Sequence, residues 1–97
     1  MKYYVKIHKG SDGICVSICD ENILGLEFVD GNLSFKVSEG FYKGDLVGVD
    51  EVFELFRKYV NFNLVGNEII NLCLKEKLIS EFGVKQVGKV KHALAVL

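Results

Sequence analysis

The sequence predicts an α+β domain: an antiparallel sheet built from an N-terminal meander and a C-terminal hairpin, with two central helices packed on one face. Three observations carry this reading. Apolar residues alternate at strand spacing over the first forty positions, repeat at helical spacing from Asp50 onward, and return to strand character after Gly83. With 97 residues, 49% of them hydrophobic, and a net charge of −1, the chain suits one core, so residues 1–97 are expected to form a single domain.

Residues 3–8 place Tyr3, Val5 and Ile7 on one side of a strand and Tyr4, Lys6 and His8 on the other. The turn formers at 9–13 then lead into 14–19, where Ile14, Val16 and Ile18 alternate with Cys15, Ser17 and Cys19, so the two segments read as a hairpin. After Asp20-Glu21-Asn22 and Leu24-Gly25, the apolar residues Leu26 and Phe28 pair across Asp30-Gly31 with Leu33, Phe35 and Val37, extending the meander. Residues 38–45 read as a loop in which Gly40 and Gly44 bracket Phe41-Tyr42.

Val52, Leu55, Phe56 and Tyr59 follow i, i+3, i+4, i+7 spacing, with Asp50 as N-cap, Glu51 and Glu54 early and Arg57-Lys58 late, which predicts the first helix. Asn63 is placed to cap a second helix running to about Lys77, with Ile69, Ile70, Cys73 and Leu74 on its apolar side. Two strands, 84–87 and 90–96, flank Gly88-Lys89, where glycine comes first as a type II′ turn prefers. Residues 92–97 are apolar on both parities, which predicts a strand covered by helices on one side and by a loop or partner on the other.

Composition excludes several classes of function. The longest apolar run, residues 93–97, is far shorter than the roughly 20 residues of a membrane-spanning helix. Lys2 and Lys6 interrupt any secretory signal, and Cys15, Cys19 and Cys73 are an odd set better suited to free thiols in a reducing compartment, so a cytoplasmic location is expected. Cys15 and Cys19 lie about 13 Å apart on a strand, too far to share one metal ion with His8 or His92. No metal or other cofactor is expected. Asp20-Glu21 with His8 and His92 supplies titratable groups, but no nucleophile comes with a partnered base, so no catalytic residue is assigned.

Charge is segregated: residues 1–10 and 84–97 together carry +6 with no acid, and the middle carries −7. Were the first and last strands neighbours, Lys2, Tyr4, Lys6, His8, Lys85, Lys89 and Lys91 would form a basic, aromatic-studded face for RNA, with Tyr42 as a stacking contact. The competing reading is a set of solvated strand edges protected by lysine. Asn63 to Gly66 could likewise hold a phosphate on a helix N-terminus, or only cap that helix. A protein-interaction module or homodimer using the strand at 92–97 is the alternative to RNA or ribonucleoprotein binding.

Val5-Lys6-Ile7-His8, Cys19-Asp20-Glu21 with Leu24-Gly25, Ser38 with Phe41-Tyr42 and Gly44, Asn63-Leu64-Val65-Gly66, and Gly88 with His92-Ala93 together resemble the archaeal family called domain of unknown function 424. The resemblance runs over nearly the whole chain and implies a small cytosolic archaeal protein linked to RNA binding; it brings no catalytic residues. Lys91 and Leu94 stand where that pattern carries Pro and Gln, so a role resting on a proline turn that presents His92 is not carried over.

Overall fold

A computed structural model describes residues 1–97. Strands β1 (Tyr3–Gly10) and β2 (Gly13–Asp20) form the expected hairpin. They are followed by β3 (Glu27–Asp30), β4 (Leu33–Lys36), the single-turn helix α1 (Glu39–Tyr42), β5 (Asp45–Val47) and helix α2 (Val49–Lys58). The chain finishes with β6 (Asn61–Val65), helix α3 (Asn67–Lys75), β7 (Val84–Val87) and β8 (Val90–Val96). The architecture is α+β, with the N-terminal hairpin and the C-terminal hairpin in one six-stranded sheet of order β5-β1-β2-β6-β8-β7.

Four features differ from the sequence expectation. Asn63 does not cap a helix: residues 61–65 are the central strand β6, paired parallel with β2 and antiparallel with β8, so the sheet is mixed. The reason is burial, since Phe62, Leu64 and Val65 are fully enclosed between the helices and the covering loops, and a strand is what presents them to both sides. The meander stops after two strands, because β6 takes the edge of β2 and leaves β3 and β4 as a separate two-stranded sheet. The expected loop at 38–45 contains α1, with the Ser38 hydroxyl accepting from the Phe41 amide at 3.3 Å, and then β5, which pairs with β1 at the sheet edge. Helix α2 starts one residue before Asp50; the Glu51 side chain accepts from the Gly48 amide and closes its first turn.

Strand alternation gives the sheet two different faces. The front carries Tyr3, Val5, Val16, Ile18, Phe62, Leu64 and Ala93, sealed by Val52 of α2 and Ile69, Ile70 and Cys73 of α3. Phe56 stacks on Phe62 with ring centroids 4.0 Å apart. The back carries Cys19, Val65 and Val90, covered by Val37 and Tyr42. The β3–β4 hairpin rests on the β7–β8 turn, where a Cβ on Gly88 would lie 2.9 Å from the Val29 carbonyl oxygen and the Gly88 amide donates to Asp30 at 3.3 Å. This cover reaches only the upper half of the back face.

Candidate docking edge and the basic residues

The basic residues read from the sequence do not converge. Strands β2 and β6 stand between β1 and β8, so the first strand is about 14 Å from the last and about 19 Å from β7. Two of the lysines are engaged within the chain: Lys6 Nζ donates to the Gly40 carbonyl at 2.6 Å, and Lys91 Nζ donates to Asn71 of α3 at 3.3 Å on the front. Lys85 pairs across from His92 on the back, Lys89 lies in the β7–β8 turn, and Lys2 precedes β1 beside Glu21, whose amide donates to the Lys2 carbonyl. Tyr4 packs against the back core. Tyr42 is only 3% exposed and its hydroxyl donates to Asn63 Oδ1 at 2.8 Å, so its ring is not presented for stacking.

Two polar clusters lie under α1. His8 stacks on Phe41 with centroids 4.2 Å apart, and its Nε2 is 3.1 Å from the Ser17 hydroxyl. That hydroxyl also reaches the carbonyls of Phe41 at 3.2 Å and Lys6 at 3.3 Å. Carbonyls only accept, so the hydroxyl proton goes to one of them and the imidazole N–H donates to Oγ. Ser17 is fully buried and serves as a hub that fastens α1 to the sheet, not as a nucleophile. In the second cluster, Asn63 Oδ1 accepts from Tyr42 and from His92 Nε2 at 3.0 Å. Burial, with Lys85 nearby, pulls the His92 imidazole below the usual histidine range, which favours the neutral ring that this bond uses.

The helix N-terminus after Gly66 is already occupied by the protein itself. Both carboxylate oxygens of Asp20 accept backbone amides there, from Glu68 and Ile69, each at 2.8 Å. Desolvation raises this carboxyl to about 6 even though the two amide bonds oppose the shift. A phosphate would have to displace a built-in anion, so the phosphate reading of residues 63–66 has no open cradle behind it. With Asp20 committed to α3, His8 to Ser17 and His92 to Asn63, these groups are not assembled as acid and base.

The largest depression, about 770 Å³, lies between β1, Gly44 and α2. Its charged rim is largely self-satisfied: Glu51 holds the Gly48 amide, Glu54 pairs with Arg57, and Lys58 sits 5.5 Å from the Tyr59 ring centroid. No unpartnered polar group there is buried.

The open end of β8 is different. The ladder between β7 and β8 ends at Val84 and Ala93, leaving residues 94–96 without a strand on that edge. Backbone direction follows from two bonds: the Leu97 amide donates to Val60 at 2.7 Å and the Gly66 amide donates to Lys91 at 2.9 Å. Positions 91 and 97 thus spend their groups on β6, and by alternation Leu94 and Val96 turn theirs toward the side where β7 has ended. Their side chains point to the uncovered half of the back face, Leu94 66% and Val96 79% exposed. Phe82, in the short turn before β7 held by the Ser80 hydroxyl, is 93% exposed, and neighbouring Gly83 lies beside the Leu94 carbonyl. Val60 and Leu97 continue the apolar surface around the end of the sheet, and a cavity of about 440 Å³ separates residues 93–97 from the 77–80 segment.

The chain matches the family described as protein of unknown function DUF424 over residues 8–97. It belongs to that family. A crystal structure of an uncharacterized conserved protein from Methanopyrus kandleri has the same fold, with a TM-score of 0.78 at 23% identity, covering 97% of this chain and 90% of that one. No curated protein matches the sequence. The DUF424 match takes in the whole apolar corner, from Val60 and Phe82 to Leu97, whereas Lys2, Tyr4 and Lys6 precede it. Sequence reasoning singled out the strand at 92–97 but missed Phe82 and Val60. The available signal was a large aromatic placed between the turn formers Ser80 and Gly83.

Proposed function

We propose that the protein is a non-catalytic interaction module that docks a protein partner at the open end of β8, in a cytosolic setting that suits its three free cysteines. One observation carries this reading: Phe82, Leu94 and Val96, each more than half exposed, surround a strand segment with no strand across its outer edge. Exposed apolar clusters of this kind mark contact surfaces, and unpaired strand edges accept added strands. RNA binding has less behind it, because the lysines assigned to it lie on both faces of the sheet and two of them are bonded internally.

The experiment is recovery of bound material from cell extract by the wild-type chain and by Leu94→Asp/Val96→Asp, with and without ribonuclease. The expected result is a partner that survives ribonuclease and is lost with the double substitution. A partner removed by ribonuclease and indifferent to the substitutions would overturn the reading in favour of RNA.

A further inference from the structure

We infer that the occupant of this corner is a second copy of the same chain, related by a two-fold axis that passes close to Val96. The inference rests on the interaction reading above and adds to it the partner's identity and the register. Area supports it first. Phe82, Leu94, Val96, Leu97 and Val60 together present roughly 600 Å² per copy around both sides of the β8 edge, so a two-fold contact that covered them all would remove about 1,200 Å² in total, the lower end of specific interfaces.

Charge supports it next. A self-contact places every side chain near its own kind, so a charged patch would repel itself. The uncovered half of the back face holds Cys15, Asn61, Leu94 and Val96, with His8 beside Phe41, and Lys6 there is tied to the Gly40 carbonyl. The patch itself is thus uncharged, and the charges at its rim, Glu81 beside Phe82 and Lys77 on the cavity wall, are of opposite sign.

Strand geometry sets the register. Gly83 lies beside the Leu94 carbonyl, so the free track along the β8 edge begins past it, at Val96. An antiparallel approach about a two-fold there makes Val96 and the partner's Val96 a hydrogen-bonded pair exchanging two N–H···O bonds. Leu97 then stands across from the partner's Ala95, whose small side chain leaves room. Paired residues of an antiparallel ladder share a face, so the two Val96 side chains lie side by side, with Leu94 of each copy flanking them.

The tests read oligomeric state and proximity. Sedimentation of the wild-type chain is expected to give a concentration-dependent dimer with a dissociation constant of about 1–100 µM. Val96→Lys is expected to weaken it about 100-fold; the side chain is exposed, and an unchanged circular dichroism spectrum will verify folding. In a Cys15→Ser background, Val96→Cys is expected to form an intermolecular disulfide under oxidised glutathione, while Val29→Cys, also well exposed on the β3–β4 hairpin, does not. A wild-type chain that stays monomeric well above that range, or a Val96→Cys variant that cross-links no better than Val29→Cys, overturns the second-copy inference. If the extract experiment still yields a ribonuclease-resistant partner lost with Leu94→Asp/Val96→Asp, the interaction reading stands without it; if that partner is absent too, both fall.

Discussion

Asp20 and Gly66 are fitted to each other: a Cβ on Gly66 would lie 2.2 Å from the Asp20 carboxyl carbon. Gly66 also holds φ at +123°, a conformation that side chains rarely adopt. The pair joins the end of β2 to the start of α3 across 46 residues of sequence, and it lets one buried carboxylate satisfy two amides that the helix leaves open.

Gly66→Ala is therefore expected to cost about 3 kcal/mol, combining backbone strain with displacement of a buried carboxylate. Gly13→Ala is the control, since Gly13 has φ of +115° but nothing within 4 Å of the added carbon, so it should lose only the strain, about 1–2 kcal/mol. Urea midpoints of the two variants check this, and equal losses would mean that contact with Asp20 contributes nothing.

Asp20 also gives the fold a pH dependence of definite sign. Burial raises its carboxyl from the ordinary 3.8 to about 6, so the folded state holds the proton more tightly than the unfolded state does. Its contribution is fully present below about pH 4, is lost as pH rises through 6, and stays level above that, a change of roughly 2–3 kcal/mol. His92 runs the opposite way: its pKa is lowered in the fold, so stability is lost as pH falls through about 6.5. Asp20→Asn keeps a carbonyl acceptor and removes the first trend, so its stability is expected to fall steadily with acid. If instead it parallels the wild-type profile between about pH 4 and 6, Asp20 does not titrate as described.

Local patterns were legible in the sequence and non-local ones were not. The alternation of Val16 and Ile18 against Cys15, Ser17 and Cys19 is a property of neighbouring residues, and so is the helical spacing of Val52, Leu55, Phe56 and Tyr59; both elements are present. Strand β6 offers only five residues, and two of them, Asn61 and Asn63, look like turn or cap residues because asparagine bonds its own backbone so readily. What makes it a strand is enclosure between β2 and β8, whose paired residues lie 46 positions before it and 27–35 positions after it and leave no local trace. The same gap undid the basic face. Its charges could be counted, but whether they meet depends on strand order, and two strands intervene. The apolar strand at the C-terminus was legible from its two-sided composition, yet which half is bare depends on where β7 stops.

The Tyr42 hydroxyl gives a measure of how firmly α1 is held. It is buried and donates to Asn63 Oδ1 at 2.8 Å, leaving His92 as the other donor to that oxygen. Tyr42→Phe is expected to lose about 1 kcal/mol, since the ring and its packing remain and Asn63 keeps one partner. Asn63→Ala should cost more, about 2–3 kcal/mol, because it strands both the tyrosine hydroxyl and the imidazole N–H. Denaturant midpoints with unchanged slopes would check the order; a larger loss for Tyr42→Phe would mean that the hydroxyl has a second role.

The dispersed lysines make a specific forecast for nucleic acid. A contiguous face neutralising three to six phosphates would give a log–log salt slope of about −2 to −5. Here Lys6 and Lys91 are bonded within the chain on opposite faces, while Lys85 and Lys89 lie at the far side of the sheet from Lys2. Lys85 and Lys89 share one hairpin, so one strand of RNA can touch about two phosphates at once, and the expected slope is no steeper than about −1.5. Replacing Lys6, Lys89 and Lys91 with alanine should change whatever weak affinity exists by less than about tenfold, because Lys6 is separated from the other two by two intervening strands and adds no contact to a ligand held there. Fluorescence anisotropy of a labelled single-stranded RNA across a salt series measures both quantities. A slope steeper than −2 that flattens in the triple variant would restore the basic face, and would require an RNA that wraps the sheet edge to reach lysines on its two sides.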